Sequence, residues 1–380
     1  MKLISVLFWF KVACIRNCIF SFLCITGFCT PLYGQENLKV FLHPDKFYKK
    51  YFPNLKIKRI PLDTTYIKVY PNYLTVGLHV LSPALSSTIS TTNSLATVIN
   101  TDVKFRTSVA DIIGFSANYR FVSVGFALLL KQGLQKHNDY APSAYRTLTI
   151  KYNNPAYSFQ FKYLRLRGFT DINGVGGQPL VKRPDIVNRE YQFESVYNFD
   201  WKRYSYLAPL SFSQRQVKSR GGILLKGGLY YKSLSGDSSL IEQGKRPYYE
   251  KFGDNKEIQA FSIKLAPGLG GNLILYKNIC LSMAFFTSFD FYFYRYISTM
   301  DEVSDRRESV VFSLDGYVSL GYHSKRFYAG LRYETDRRDA ALHGIKANIA
   351  NAYTGLEFGY RFNTPRVMKK FYKKTMPPGM

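Results

Sequence analysis

Apolar and polar side chains alternate in short runs along most of this chain. From Val310 to His323, Val310, Phe312, Leu314, Val318, Leu320 and Tyr322 oppose Ser313, Asp315, Tyr317, Ser319 and Gly321. From Phe327 to Thr335, Phe327, Ala329, Leu331 and Tyr333 oppose Tyr328, Gly330, Arg332 and Glu334. Val122 to Lys131 and Ala156 to Tyr163 repeat the pattern, and Asn351 to Phe362 closes it, with Leu356, Phe358, Tyr360 and Phe362 opposite Glu357 and Arg361. Successive side chains of a strand point to opposite faces, so each run predicts a strand with one apolar, uncharged face. A soluble strand also alternates. Recurrence of an uncharged face in strand after strand is what a bilayer enforces, because lysine or arginine facing lipid at mid-depth costs about 2–4 kcal/mol.

The spacing of the runs predicts how they connect. Short links fall near Tyr119–Phe121, Asn153–Ala156, Lys277–Asn278 and His323–Arg326. Long polar stretches cover 83–96, 132–143, 171–189, 236–258, 297–308 and 337–345. Outer-membrane barrels alternate short periplasmic turns with long extracellular loops. Strict alternation results if 97–119 is one long bent strand and 201–219 an irregular periplasmic connection. That arrangement has about twelve strands; other divisions keep the number between ten and fourteen. The expected fold is all-β, a transmembrane antiparallel up-and-down barrel over residues 73–362.

The ends read differently. Residues 1–34 have the form of a cleaved signal peptide: Lys2, Lys11 and Arg16, then an uncharged core from Ile19 to Cys29 and an exit at Thr30 to Gly34. An uncleaved anchor is the competing reading, but that core is short for a spanning helix of about 20 residues. Residues 35–72 form a basic, proline-punctuated periplasmic lead-in, and 363–380 a basic flexible tail. Removing the signal takes Lys+Arg from 52 to 49 against 26 acids, leaving +23; the lead-in and tail each carry +5. Charge of this size accompanies nucleic-acid binding in other settings, but an exported chain seldom meets nucleic acid, so none is expected as a partner. A basic collar on inner-leaflet phosphates or an acidic partner fits better. The 61 Tyr and Phe residues fit interfacial girdles. Only Cys280 survives cleavage, so neither a disulfide nor a cysteine metal cage can form within the mature chain.

Candidate chemistry is sparse. A barrel lipid hydrolase needs an activated serine, a histidine and an orienting polar group. His323 and Ser319 are four strand residues apart, roughly 13 Å, too far to pair. His79 is read as packed or luminal, and Gly174–Gly177 lacks the Lys-Ser/Thr of a phosphate loop. The inward face gathers Lys131, Lys151, Lys162, Lys226, Lys264, Arg332 and Arg361, with Glu194, Asp290, Asp315, Glu334 and Glu357. This is the candidate site: a luminal network of paired charges, or a slightly basic pore for small anionic solutes. Phe286, Tyr292, Tyr294, Tyr317, Tyr328 and Tyr353 on the same face predict a constricted lumen. No catalytic residue, metal site or cofactor is expected.

Three motifs carry a family resemblance: Asp63-Thr-Thr-Tyr-Ile-Lys-Val-Tyr-Pro71 leading into the first strand, Ser213-Gln-Arg-Gln-Val-Lys-Ser-Arg-Gly-Gly-Ile-Leu-Leu-Lys-Gly-Gly228 in mid-chain, and the late Phe327-Tyr-Ala-Gly-Leu strand with its closing Gly-Tyr-Arg-Phe362. Over roughly residues 60–362 the chain resembles the Bacteroidota outer-membrane proteins grouped as domain of unknown function 4421 (DUF4421). The resemblance implies an outer-membrane barrel and no established activity. The expected function is a structural barrel or a narrow channel for small solutes, monomeric, in the outer membrane of a Gram-negative bacterium. Outer-membrane lipids and the barrel-assembly machinery are its expected partners. The alternatives are a lipid-acting or lipid-binding barrel and a soluble exported β-protein.

Overall fold

The computed structural model describes residues 62–92, 101–109, 111–129, 139–173 and 180–375. The signal peptide, most of the lead-in, the glycine run 174–177 and Lys131 therefore lie outside the described residues. In chain order the strands are β1 (Ile67–Val69), β2 (Tyr73–Thr91), β3 (Val103–Arg106), β4 (Ile112–Tyr119), β5 (Val122–Leu129), β6 (Ala144–Asn153), β7 (Tyr157–Asp171), β8 (Val181–Asn198), β9 (Gln214–Gln216), β10 (Arg220–Ser235), β11 (Asn255–Tyr276), β12 (Ile279–Ser298), β13 (Val303–His323), β14 (Phe327–Leu342) and β15 (Ile345–Asn363). A single helical turn, α1 (Ala208–Ser211), precedes β9. A 3-10 helix spans Arg246–Phe252.

All strands but β1 and β9 form one antiparallel sheet that closes on itself. The closing seam pairs β15 with β2 over nineteen residues, from Ile345↔Thr91 to Asn363↔Tyr73. Because β3 and β4 both pair with β2, they are two halves of one bent strand, and the barrel has twelve strands. The bend has a geometric cause. The β5–β6 hairpin is short, and beyond it β3 pairs directly with β7 through Phe105↔Asp171 and Arg106↔Thr170. Twelve strands at one end thus become ten at the other.

Both ends of the sheet and, apart from 199–219, only short turns lie at one end of the barrel, here the turn end; the other, the loop end, carries most of the longer connections. In outer-membrane barrels these face the periplasm and the exterior respectively. The outer wall carries the expected belt. Leu265, Leu269, Phe285, Phe289, Phe312, Leu331, Leu356 and Phe358 are all exposed. Tyr163, Tyr191, Tyr231, Phe261 and Phe293 are directly opposed across five neighbouring strands and make one aromatic row. No helix among the described residues is long and apolar enough to cross a membrane; the strands cross instead.

Three expectations need correction. The stretches 297–308 and 337–345 are not long loops: β12, β13, β14 and β15 run through them, leaving only Thr299–Glu302 and His343–Gly344 as connections. These strands have 16–21 residues where about 9–11 span a membrane. Beyond the lipid the outer face turns polar, which masks the strand in sequence, while the backbone pairing continues. The tail is not wholly irregular, since Arg366–Thr375 form helix α2, outside the barrel unit. Residues 201–219, expected as an irregular periplasmic connection, turn into the barrel and carry the buried Tyr204, Leu207 and Phe212. In β10, which keeps its register with both neighbours, Gly228 accommodates Tyr230, whose ring would lie 2.8 Å from a Cβ there.

A charge placed on the belt tests this orientation. Phe289→Arg should cost about 2–4 kcal/mol of folding stability in lipid vesicles, whereas Thr88→Arg, near the loop end of β2, should change it by under about 0.5 kcal/mol. Denaturant titration with gel mobility as readout checks both.

Candidate functional site

The lumen is shut near the turn end by chain that is not wall. After β8, residues 199–219 fold inward, and wall side chains hydrogen-bond them from around the barrel. Asn118 of β4 donates to Ser211 O (3.3 Å), Asn198 of β8 to Tyr204 O (2.8 Å) and Asn272 of β11 to Ser205 O (2.8 Å). Arg361 of β15, fully buried, donates to Phe212 O (2.6 Å) and Ser324 O (2.7 Å). Tyr204 packs into an apolar cluster of luminal residues including Leu224, Ala266, Ala284, Phe286 and Tyr317. Phe212 stacks on Tyr328 at 4.3 Å between ring centroids.

Two glycines on the inner face make room for this plug. A Cβ at Gly270 would stand 2.2 Å from the Tyr204 hydroxyl, and one at Gly330 2.7 Å from the Phe212 ring. Such contacts cannot be accommodated without displacing the ring.

The plug is latched from below by the lead-in. β1 pairs with β9 through Ile67↔Gln216, Lys68↔Arg215 and Val69↔Gln214. Val217 N donates to Tyr66 O (2.7 Å) and Asp63 N to Lys202 O (3.1 Å). Asp63 caps its own turn by accepting from Thr65 N and Oγ1 (3.1 and 2.6 Å), and Arg203 lies 3.5 Å away. Those hydrogen bonds hold its carboxyl below the usual range. The first two sequence motifs are therefore one structural unit, a latch and the plug it holds. Within the lead-in, Asp63 to Val69 thus turn and pair against the plug.

The loop end is narrowed as well. Residues 236–254 turn inward, burying Leu240, Ile241, Tyr249 and Phe252 against Ile89, Val103, Phe105, Phe169, Tyr294 and Tyr296. Tyr249 donates to Ile89 O (2.7 Å) and Thr101 O (3.1 Å), and buried Lys245 pairs with Asp171 at 2.7 Å. Hydrophobic residues inside a polar loop carried this signal in the sequence, but only as composition.

Between plug and cap lies a chamber of about 450 Å³. Its wall carries Lys151, Lys162, Lys226, Lys232, Lys264, Arg332 and Arg338, and the acids Glu190, Glu194, Asp315, Glu334, Asp336 and Glu357, with Asp290 just behind Lys264. Of the expected network, Lys226, Lys264, Asp290 and Asp315 come together. Lys226 pairs with Asp315, and Lys264 lies 3.8 Å from both Asp290 and Asp315. Ser288 and Ser313 donate to Asp315 and Asp290 at 3.0 and 3.1 Å. A second group joins Arg332 to Glu334 (3.2 Å) and Glu357 (3.8 Å), with Tyr328 donating to Glu357 (3.3 Å). Arg361 is not part of either group; it bonds main-chain carbonyls beside the plug. Lys232, paired with Glu190 at 3.7 Å, and Arg338, donating to Asp336 at 3.0 Å, were not anticipated. Both follow from continuing the same alternation upward.

Two cations stand apart. No carboxylate lies within 4.0 Å of Lys151 or Lys162 among the described residues. Lys162 stands 5.9 Å from the Tyr353 ring. Of the two acids flanking Gln192, which is opposite Lys162, Glu190 pairs with Lys232 and Glu194 accepts from Gln160 (3.3 Å) and Tyr230. Among the described histidines, His79 faces the chamber wall over Gly114, His323 lies under Phe212, and His343 approaches Asp305 at 3.3 Å; none bonds a serine. Among the described residues no cluster of three or more metal-ligating side chains occurs.

The sequence profile of the family described as a domain of unknown function (DUF4421) matches residues 61–362. No curated protein gives a significant sequence match. Among solved structures, the chain is similar to the outer membrane protease OmpT from Escherichia coli (10% identity, 78% of this chain and 98% of that one, TM-score 0.36). It is also similar to the translocator domain of autotransporter NalP from Neisseria meningitidis (11%, 76% and 88%, 0.40). A third is the COG4313 outer membrane channel from Pseudomonas putida F1 (9%, 80% and 100%, 0.36).

The packing yields two expected outcomes. Gly330→Val should expel Phe212 from its stack, and proteolysis of purified protein should then cut within 199–219 at least about tenfold faster than in the wild type. Lys226→Met leaves Asp315 buried without its closest partner and should destabilise the barrel by about 3–5 kcal/mol; Lys226→Met with Asp315→Leu should recover most of that loss. Denaturant unfolding in micelles measures both variants.

Proposed function

The chain belongs to the DUF4421 family, and we propose that it is a narrow channel for small anionic solutes, held closed at rest. One observation carries this reading: a charged, polar chamber inside the barrel is floored by the plug, through Tyr206, Leu210 and Ser211, while 236–254 fold inward toward the loop end. A barrel with no conduit role could fill its lumen with apolar or fully paired side chains. Here Lys151 and Lys162 face the chamber with no carboxylate within 4.0 Å among the described residues, so an incoming anion would find two donors. The chamber's volume falls within the 300–1,000 Å³ usual for small-molecule sites. Passage would require the plug, the cap or both to move, and the plug is the more polar attachment, held by asparagine and arginine hydrogen bonds to main-chain carbonyls.

A structural barrel is the second reading, favoured by the near balance of seven bases and seven acids around the chamber. Planar-bilayer recording separates the two. The wild type should show no steady open-pore current, and replacing 201–218 by a short Gly-Ser linker should open an anion-preferring pore. Lys151→Gln with Lys162→Gln in that background should reduce the anion preference. A plugless barrel that conducts nothing would leave only the structural reading; a steadily conducting wild type would contradict closure at rest.

A further inference from the structure

The outer wall carries a charge cluster that the lumen does not explain. Arg146 on β6 is directly opposite Arg165 on β7, which is directly opposite Arg189 on β8. All three lie on the outward face, each two residues beyond an outward Leu148, Tyr163 or Tyr191 in the direction of the loop end. Opposed residues in antiparallel strands have Cα atoms about 4.5–5.5 Å apart, so three guanidinium groups share a patch roughly 10 Å wide. Like charges directly opposite one another destabilise a sheet.

Nothing in the wall relieves that repulsion. No carboxylate lies within 4.0 Å of any of the three among the described residues. The neighbouring outward positions by register are Leu128, Ala144, Arg167, Val187 and Ser233, none of them acidic. Arg167 adds a fourth cation, whose Nε donates to Pro184 O (3.0 Å). The same row continues through Ser233 and Gln259 to Arg295 and Arg306, but there Arg295 donates to Gln259 (2.8 Å) and Glu308 stands on the same face. That end has partners of its own.

We propose that Arg146, Arg165 and Arg189 bind the phosphate of a phosphorylated glycolipid in the outer leaflet. Arginine offers paired N–H donors that match phosphate oxygens, and three of them more than offset the charge of roughly −1.5 to −2 on one phosphate monoester. The position selects a lipid over a free anion. Immediately below stand the rings of Tyr163 and Tyr191, 5.1 Å apart, with Leu148 and Phe161 below and beside them, so the patch sits where an apolar wall gives way to headgroup depth. Acyl chains would lie on that wall while the phosphate bridges the arginines.

The test uses the full chain in neutral detergent, incubated with bisphosphorylated lipid A or with the same lipid dephosphorylated, with bound lipid counted by native mass spectrometry. The wild type should retain the phosphorylated lipid about tenfold better. Arg146→Gln/Arg165→Gln/Arg189→Gln should abolish that preference, and Arg165→Gln alone, which provides the test if the triple variant does not fold, should lower it at least about threefold. Arg337→Gln, outward on β14 and paired with Asp339 at 3.5 Å, should leave it unchanged. Retained preference in the folded triple variant, or in the single variant should the triple not fold, would overturn the site. Displacement of the lipid by millimolar inorganic phosphate would overturn the lipid assignment in favour of a free-anion site.

Discussion

Every backbone N–H and C=O in a hydrocarbon layer must find its partner within the protein, and for strands that requires a sheet without edges. The nineteen-residue seam between β15 and β2 meets this condition, and much else in the molecule is a consequence. Closure fixes which face of each strand meets lipid. That in turn confines every buried charge to the inside, and an inside face with many charges needs partners for them. The closing strand shows both sides at once: Leu356, Phe358, Tyr360 and Phe362 form lipid-facing wall, while Glu357 joins the chamber and Arg361 braces the plug.

The interior solves its polar requirement in two ways. Around the chamber, carboxylates and cations pair across strands, as with Lys264 and Asp290, which are directly opposed on β11 and β12. Near the turn end, where the barrel has its full twelve strands, a piece of main chain fills the interior and supplies acceptors instead. Its carbonyls receive Asn118, Asn198, Asn272 and Arg361, and its aromatic rings occupy hollows left by glycine. The latch from β1 adds three residues of pairing to a segment that has little regular structure of its own. Plug and latch together explain why two distant stretches of sequence have the same family character.

Strand number and facing were legible in the sequence because alternation reports directly on burial. The luminal residues followed from the same parity, so Lys226, Lys264, Asp290 and Asp315 could be grouped without knowing which touch. What parity cannot report is register, and with it the pairing of Lys226 with Asp315 or the stacking of three arginines on the outer face. Strand length was misread for a related reason. Ser82, Ser86 and Thr88 on the outer face of β2 resemble loop residues, because outside the lipid nothing selects apolar ones. The plug was visible only as a break in rhythm, at Ser213 to Arg220. Its position inside the barrel depends on contacts with wall strands far away in the chain, namely β4, β11, β12, β13, β14 and β15.

The central claim is that residues 204–216 are folded inside the barrel and not displayed as a periplasmic loop. Amide hydrogen exchange of the wild-type protein in lipid nanodiscs tests it directly, since Ser205 N, Ala208 N and Ser211 N are bonded to Gln216 Oε1, Ser205 Oγ and Leu207 O within the buried plug. Protection of this segment lasting as long as that of β12 is the expected result. Exchange on the timescale of an exposed loop, with the wall strands still protected, would contradict the account.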